Sequence, residues 1–236
     1  LAEPYLDTEP VIVMNGDILI DLNLTHLLAF HKRKGAAVTV TLIRVQDPTQ
    51  YGLVLMDSVD RILQFVEKPH WDEVKGNTVN AGVYVIEPRV FREIPEGITY
   101  SIERDLYPSL LQKGSPMYGF VMDGYWNDIG NPERYLKAHH DILHGEAPFP
   151  VPGELLRDQI HVEEGVRIDP SARIYGPCLI GRDADIASGV QIHGSVVMGS
   201  NVRIGEGTEL RNCVIWENTT IGKNCVLENS IVCGKT

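Results

Sequence analysis

A six-residue period in the second part of the chain restricts the possible fold more than any other feature. An aliphatic residue recurs at every sixth position, one step shortens to five residues, and the period of six then resumes. The positions are Val162, Ile168, Ile174, Ile180, Ile186, Ile192, Met198, Ile204 and Leu210, followed after the short step by Ile215, Ile221 and Leu227. A period of six is typical of neither an α-helix nor an alternating strand. It fits a parallel β-solenoid in which each hexapeptide forms one flat side and its aliphatic residue points inward.

These hexapeptides resemble the hexapeptide-repeat, left-handed β-helix family. A small or β-branched residue stands two positions before most of the aliphatic ones, as at Ala172, Cys178 and Ala184. The resemblance implies roughly four triangular coils, about 4.7 Å apart, with a handedness that is an exception to the usual crossover rule. We expect this β-helix over residues 160–236. Its interior should hold Ile168, Ile174, Ile180, Ile186, Ile192 and Ile204.

The first part of the chain has a different pattern, in which strands and helices alternate. The apolar run Val11–Met14 stops at Asn15-Gly16-Asp17, which predicts a strand buried on both faces, as in a parallel sheet. Asp17 would then lie just past the carboxyl end of this strand, the edge where open α/β sheets bind ligands. The plainer interpretation is an ordinary turn, because Asn, Gly and Asp all favour turns.

Strand–helix–strand order predicts a Rossmann-like α/β domain over residues 1–146. A Pro-rich linker at 147–159 separates it from the β-helix. Asn23 or Thr25 can cap the first helix, and Gly35 can end it. The predicted helices are 25–34, a helix from Ser101 to Gly114 that Pro108 can kink, and 131–144; further strands are predicted at 36–45, 51–57, 61–68, 79–86 and 117–122, with a loop at 125–130.

Composition excludes several classes of protein. The net charge of −11 disfavours a nucleic-acid binder, which needs a basic face. No apolar run approaches the roughly 18 residues of a membrane helix, and no signal peptide opens the chain. The four cysteines, Cys178, Cys213, Cys225 and Cys233, lack zinc-type spacing. We therefore expect a protein of the reducing cytoplasm that contacts neither nucleic acid nor membrane.

Five short motifs occur in an order that resembles a known enzyme family. They are NGD at 15–17, YG at 51–52, FVEKP at 65–69, NAGVYV at 80–85 and GYWNDIGNPERY at 124–135. With a β-helix behind them, they resemble the sugar-1-phosphate nucleotidylyltransferases, or NDP-sugar pyrophosphorylases. RDLYP at 104–108 and GYWNDIG favour the mannose-1-phosphate guanylyltransferase branch. The resemblance implies transfer of a nucleotidyl group from a nucleoside triphosphate to a sugar 1-phosphate, with release of pyrophosphate.

The resemblance also implies roles for six residues. Asp17 and Asp128 would bind the Mg²⁺ cofactor, and Lys68 would neutralise the sugar phosphate. Glu67 and Asn80 would bind sugar hydroxyls, and Gly52 would let the backbone approach the sugar. The plainer alternatives are that Glu67 and Lys68 form a solvated turn and that Asp128 caps the helix after it.

One part of the family pattern has no counterpart in this chain. The family's Gly-rich, basic signature, of the form GGxGTRL, precedes the NGD motif, and the chain begins with Leu1 rather than Met. We therefore expect a fragment of a larger enzyme that is inactive alone, with the β-helix serving homo-oligomerisation. One alternative is a non-catalytic regulatory homologue. Another is a hexapeptide acyltransferase using His193, although a lone histidine on a solenoid side is more often simply exposed. His139 and His140 are expected on a helix without ligand partners.

Overall fold

A computed structural model describes residue 6 and residues 8–233. The chain divides into two compact units, Leu1–Trp126 and Asn127–Thr236, called here the sheet unit and the solenoid unit. In the first 128 residues the strands are β1 (Val11–Met14), β2 (Ile18–Ile20), β3 (Val38–Arg44), β4 (Gly52–Met56), β5 (Ile62–Glu67), β6 (Thr78–Ile86), β7 (Met117–Val121) and β8 (Trp126–Asp128), and the α-helices are α1 (Leu24–Lys34) and α2 (Tyr107–Gln112). β8 replaces part of the loop predicted at 125–130.

The main sheet of the sheet unit is mixed rather than parallel. Its strands are ordered β5-β4-β6-β3-β7, and β1 pairs with β6. Only β3 and β7 run parallel to each other, whereas β6 is antiparallel to β1, β3 and β4. The prediction that β1 is a parallel strand buried on both faces is therefore wrong. Ile12 and Val13 do pack against two different clusters of the core, but the strand stays partly exposed, and Met14 is 48% exposed.

Local sequence accounts for the ends of the helices. The side chain of Asn23 accepts a hydrogen bond from the His26 N–H and caps α1, and Gly35 ends it in the left-handed conformation. The single helix predicted from Ser101 to Gly114 is instead a π-helical turn at Ile102–Leu106 followed by α2. Pro108 lies in the first turn of α2, where its missing N–H costs nothing, so it begins a helix rather than kinking one.

The solenoid unit begins with helix α3 and continues with short strands. Its elements are α3 (Pro132–Leu143), β9 (Glu154–Leu155), β10 (Ile160–Val162), β11 (Arg167–Ile168), β12 (Arg173–Ile174), β13 (Cys178–Ile180), β14 (Asp185–Ile186), β15 (Gln191–His193), β16 (Val196–Met198), β17 (Arg203–Ile204), β18 (Glu209–Arg211), β19 (Val214–Ile215), β20 (Thr220–Ile221), β21 (Val226–Glu228) and β22 (Ile231–Val232). Residues 147–153 contain neither helix nor strand.

Three parallel sheets form the sides of the solenoid, which confirms the solenoid prediction. They are β10-β13-β16-β19-β22, β11-β14-β17-β20 and β12-β15-β18-β21, and β9 adds to the first sheet as an antiparallel strand. Ile160 pairs with Cys178, and Cys178 pairs with Val196, so one coil takes 18 residues. Val197 pairs with Val214, so the next coil takes 17. The five-residue step in the sequence is this shortened coil.

The interior of the solenoid holds most of the predicted isoleucines. Ile180, Ile186, Ile192 and Ile204 are between 0% and 2% exposed. Ile174 is partly buried against this core. The prediction for Ile168 is wrong, because its side chain is 39% exposed. Ile168 lies in the first coil, where β11 pairs only with β14 among the described strands, so only one neighbouring coil covers it.

Asparagines at the solenoid corners relieve backbone strain and bond to one another. Asn201 and Asn218 adopt left-handed φ angles of 59° and 58°, a conformation that Asn tolerates better than most residues. The Asn201 amide donates to Asn218 Oδ1 at 3.3 Å, and the Asn212 amide donates to Asn229 Oδ1 at 3.4 Å. Coils that stack in this way leave little room between their backbones. A Cβ on Gly181 would lie 2.6 Å from the Met198 carbonyl oxygen.

The helices were also compared with the length of a membrane span. Within residue 6 and residues 8–233, none is long and apolar enough to cross a bilayer.

Candidate active site

A bulge in β6 organises the candidate site in the sheet unit. The register between β3 and β6 shifts between the pairs Val40–Tyr84 and Leu42–Asn80, and Gly82 within the bulge has a φ of 77°. The Asn15 N–H donates to the Gly82 carbonyl at 2.9 Å. A Cβ at Gly82 would lie 2.9 Å from the Asn15 amide nitrogen. Glycine here therefore serves both the backbone conformation and the close approach of the NGD segment to the NAG segment.

A cavity of about 210 Å³ opens beside this bulge. Its lining comprises Gly52, Phe65, Val66, Glu67, Asn80, Glu103, Arg104 and Pro108. Three residues that the motifs singled out, Gly52, Glu67 and Asn80, thus meet at one place. Gly52 pairs with Glu67 across β4 and β5, and a Cβ on Gly52 would lie 3.2 Å from Glu67 Oε2. The absence of a side chain at position 52 leaves this carboxylate room beside the cavity.

Glu103 is a site residue that the sequence analysis missed. Its Oε1 accepts hydrogen bonds from the Asn80 amide at 2.7 Å and from the Tyr84 hydroxyl at 2.7 Å. The Asn80 carbonyl oxygen accepts from the Gly82 N–H at 3.0 Å, so the orientation of the Asn80 side chain is fixed from both ends. Burial, followed by the charge of Glu103, raises the pKa of Tyr84. The sequence did carry a clue, since Glu103 directly precedes RDLYP.

Aromatic residues form the surroundings of the cavity. Tyr107 is fully buried and stacks on Phe65 with ring centroids 5.4 Å apart. Among the described residues, nothing hydrogen-bonds the Tyr107 hydroxyl, and burial raises its pKa. Tyr51 packs edge-on against Trp126 at 5.2 Å, and the Trp126 indole donates to the Ala81 carbonyl at 3.0 Å. The YG, NAG and GYW motifs therefore meet around the same bulge.

Lys68 follows β5 directly and is exposed. Its backbone takes a left-handed φ of 44°, and its N–H donates to the Tyr51 carbonyl at 3.1 Å. Within the described part of the chain, no carboxylate lies within 4.0 Å of its ammonium group, so the charge is available to a ligand.

The two predicted metal ligands belong to different units. Asp17 is exposed and lies in the turn after β1. Asp128 accepts from the Gly130 N–H at 3.0 Å and from the Arg134 guanidinium at 2.6 Å. Asn131, rather than Asp128, caps α3 by accepting from the Arg134 N–H.

Metal-binding groups were sought in both units. No cluster of three or more His, Cys, Asp or Glu side chains suited to a metal occurs in the described residues. The Asp17 and Asp128 carboxylates nevertheless suit a hard divalent cation, because each oxygen keeps a lone pair beyond the contacts described.

The histidines singled out in the sequence have ordinary partners. His193 stacks on Tyr175 with ring centroids 4.9 Å apart. His139 lies on α3, as expected, with its Nδ1 2.9 Å from the Tyr135 carbonyl. The expectation that His140 has no partner is wrong, because its Nδ1 lies 2.9 Å from Ser195 Oγ.

Comparison with known families agrees with this site and with the solenoid. The nucleotidyl transferase family model matches residues 1–145. The model of the EIF2B subunit epsilon LbH domain matches residues 157–236. The chain therefore belongs to the nucleotidyl transferase family, and a β-solenoid follows its Rossmann-like domain.

Individual relatives agree with this classification. Mannose-1-phosphate guanylyltransferase of Mycobacterium tuberculosis is 36% identical over 89% of this chain and 56% of its own length. UTP–glucose-1-phosphate uridylyltransferase of Synechocystis is 34% identical over 98% of this chain and 61% of its own length. The structure of HddC from Yersinia pseudotuberculosis aligns with a TM-score of 0.50 at 26% identity, over 58% of this chain and 57% of that one. The chain thus spans about three fifths of the length of these relatives.

Proposed function

We propose that this chain belongs to an enzyme that forms an NDP-sugar and pyrophosphate from a nucleoside triphosphate and a sugar 1-phosphate, most closely of the GDP-mannose type. The observation that carries the proposal is the meeting of Gly52, Glu67 and Asn80 at one cavity, with the Lys68 charge following Glu67 directly. The similarity to a mannose-1-phosphate guanylyltransferase at 36% identity supports the choice of sugar and nucleotide.

The cavity is suited to a polyol. Glu67 and Asn80 offer an acceptor carboxylate and an amide, which can bond to sugar hydroxyls. Glu103 acts on the sugar through Asn80, because it holds the Asn80 amide at 2.7 Å. Gly52 keeps the wall of the cavity open next to Glu67. Fixed hydrogen-bonding groups of this kind select for hydroxyl positions, because a missing partner leaves a buried polar group unpaired.

Lys68 would bind the phosphate of the sugar 1-phosphate. In the proposed reaction an oxygen of this phosphate attacks the α-phosphorus of the triphosphate, and pyrophosphate leaves. Such transfers need positioning and neutralisation of charge more than a protein base. By holding one phosphate group beside a bound sugar, Lys68 would place the attacking oxygen and lower the repulsion between the two anionic reactants.

Asp17 and Asp128 would hold Mg²⁺, whose hard, oxygen-seeking character matches carboxylate ligands. When bound, the cation supplies positive charge to the reacting phosphates. Arg134 holds one oxygen of Asp128 at 2.6 Å and so restricts the orientation of that carboxylate.

We also propose that the protein works in the reducing cytoplasm and self-associates through the solenoid. All four cysteines are free, and Cys233 is exposed. Two large apolar side chains near the last coils, Trp216 and Val226, are 47% and 73% exposed. Solenoids generally need their end coils covered. Sedimentation equilibrium across a wide concentration range tests this, and a strictly monomeric species at high concentration contradicts it.

The sugar site can be tested by ligand binding alone. Mannose 1-phosphate and glucose 1-phosphate are titrated by calorimetry, with mannose as the ligand that lacks phosphate. We expect Lys68→Met to weaken binding of the sugar phosphates at least about 10-fold, since a charge-assisted contact contributes roughly 1.5–3 kcal/mol. Asn80→Ala should weaken binding of both the sugar phosphates and the free sugar. Lys75→Met, which removes an exposed lysine near the site, is the matched control. Equal effects of Lys68→Met and Lys75→Met would contradict the proposed role of Lys68.

A further inference from the structure

Two histidines on α3 and its C-terminal cap form a pair that the proposed reaction does not use. His140 and His144 are four residues apart, so their side chains project from the same face of the helix. Their ring centroids lie 3.8 Å apart, with the planes inclined by 31°. Both side chains are exposed, so an ion from solution can reach them.

The hydrogen bonds of the two rings fix which nitrogen faces outward. His144 Nδ1 lies 2.9 Å from the His140 carbonyl oxygen. A carbonyl can only accept, so Nδ1 of His144 carries the N–H and, in the neutral ring, Nε2 carries the free lone pair. His140 Nδ1 lies 2.9 Å from Ser195 Oγ, which can accept the corresponding N–H. Both Nε2 atoms are then left as donors to a ligand.

This is the arrangement that histidine ligands of metals adopt. A metal-bound imidazole usually donates its other N–H to a carbonyl or another oxygen, which sets the tautomer and orients the ring. Two nitrogens that bind one cation at about 2.0–2.1 Å lie roughly 3 Å apart. Nearly parallel rings with centroids at 3.8 Å need only a small adjustment to reach that separation.

The surroundings tolerate a cation. The pair lies at the C-terminal end of α3, where the helix dipole favours positive charge. Lys137, the nearest lysine on this helix, bonds to both carboxylate oxygens of the buried Asp141, at 2.8 and 2.6 Å. A cavity of about 230 Å³ beside His140 also contacts Ser195, Asn212 and Asn229 and has room for the water molecules that would complete the coordination.

We infer that His140 and His144 form a surface site for a borderline divalent transition-metal ion, of the class of Cu²⁺, Ni²⁺ and Zn²⁺. Ser195 is a positioning residue that reaches the metal only through His140. Because α3 and Ser195 belong to the same unit, a bound ion would hold the His140 ring against the solenoid. It would thereby raise the unfolding temperature of the solenoid unit by mass action.

Calorimetry with Zn²⁺, Ni²⁺ and Cu²⁺, on protein without a polyhistidine tag, tests the site. We expect one ion per chain, with Cu²⁺ bound most tightly. His140→Ala and His144→Ala should each weaken binding at least about 10-fold, and Ser195→Ala about 10-fold, as expected for loss of an outer-shell partner. His139→Ala is the matched control, since His139 lies on the same helix but packs on Tyr135 with ring centroids 4.5 Å apart. It should leave the affinity unchanged within about two-fold.

A second measurement does not depend on the stability of the variants. In histidine-labelled wild-type protein, substoichiometric Cu²⁺ should broaden the ring signals of His140 and His144 before those of His139 and His193. Two outcomes overturn the inference. One is wild-type affinity in His144→Ala, and the other is simultaneous broadening of all the histidines.

Discussion

The two units build their cores by opposite routes. In the solenoid each coil pairs with the coil 17 or 18 residues further on, and one hexapeptide rule repeats around the axis. In the sheet unit the central strand β6 pairs with β1, β3 and β4, which precede it at unequal distances along the chain. A repeated local rule is visible in the sequence, whereas pairing between distant segments is not. The comparison therefore separates what a pattern encodes from what chain topology adds.

The units also differ in where they place polar groups. The solenoid keeps asparagine amides at its corners, where they bond from coil to coil, as in Asn201 to Asn218. The sheet unit places Asn80, Tyr84 and Glu103 at a bulge, around a cavity. Polar ladders at corners stabilise a repeat, whereas a polar cluster at a cavity leaves groups available to a ligand. Four substitutions, from the largest expected effect to the smallest, test this contrast.

The largest effect is expected inside the solenoid. Ile186→Asp places a charge at a position that is 1% exposed, and it should lower the free energy of unfolding by at least about 3 kcal/mol. Ile168→Asp occupies the equivalent position one coil earlier, where the side chain is 39% exposed, and should cost less than about 1 kcal/mol. Urea unfolding followed by circular dichroism measures both. Similar losses in the two variants would contradict the unequal burial of these two coils.

Glycines should have different roles in the two units. Gly181→Ala should cost roughly 1–3 kcal/mol, because the new Cβ would meet the Met198 carbonyl and the Gly199 backbone, which the stacked coils hold in place. Gly52→Ala meets only the Glu67 side chain, at 3.2 Å, so it should change stability by less than about 0.5 kcal/mol while weakening sugar-phosphate binding. Unfolding and ligand calorimetry on both variants measure these effects. A large loss of stability in Gly52→Ala would mean that Gly52 is structural as well.

The polar cluster of the sheet unit should respond to charge and to geometry separately. Glu103→Ala leaves Asn80 and the buried Tyr84 hydroxyl without an acceptor and should cost about 1–2 kcal/mol. Glu103→Gln keeps an acceptor oxygen and should cost less. Sugar-phosphate affinity should fall in the same order, because Glu103 acts by fixing Asn80. Equal affinity in wild type and Glu103→Ala would remove Glu103 from the site.

The smallest effect is expected for pH. His31 is 1% exposed, its Nδ1 lies 2.8 Å from Thr39 Oγ1, and its Nε2 lies 3.3 Å from Glu87. Burial lowers the pKa of His31 below its ordinary value of 6.5, although Glu87 opposes this shift. The neutral ring therefore stabilises the folded state above pH 6.5, and this contribution is lost as the pH falls through the lowered pKa of the folded protein.

The pH effect can be isolated by comparing wild type with His31→Gln. Between pH 7.5 and 5, the stability of wild type should fall more steeply than that of His31→Gln, and only in the transition of the sheet unit. Hydrogen exchange, read separately for the amides of β3 and of β15, measures the two units at once. Parallel pH profiles in wild type and variant would show that His31 does not contribute.

The sequence by itself determined the features that depend on local rules. The six-residue period, including its one short step, fixed the solenoid and the place of its shortened coil, because inward-facing residues must recur once per side. The caps at Asn23 and Gly35 were also local, since each bonds within its own helix turn. The order of the motifs identified the family, and Gly52, Glu67 and Asn80 were found from it.

Only the tertiary structure decided which residues lie together at the bulge. Glu103 reaches Asn80 across 23 positions of sequence, and no periodicity links two such side chains. The antiparallel pairing of β1 with β6 could not be predicted, because a short apolar run fits either strand direction. The exposure of Ile168 depended on whether a neighbouring coil covers it, and the hexapeptide is the same in either case. Burial and pairing of this kind are set by distant parts of the chain, and a local pattern carries no information about them.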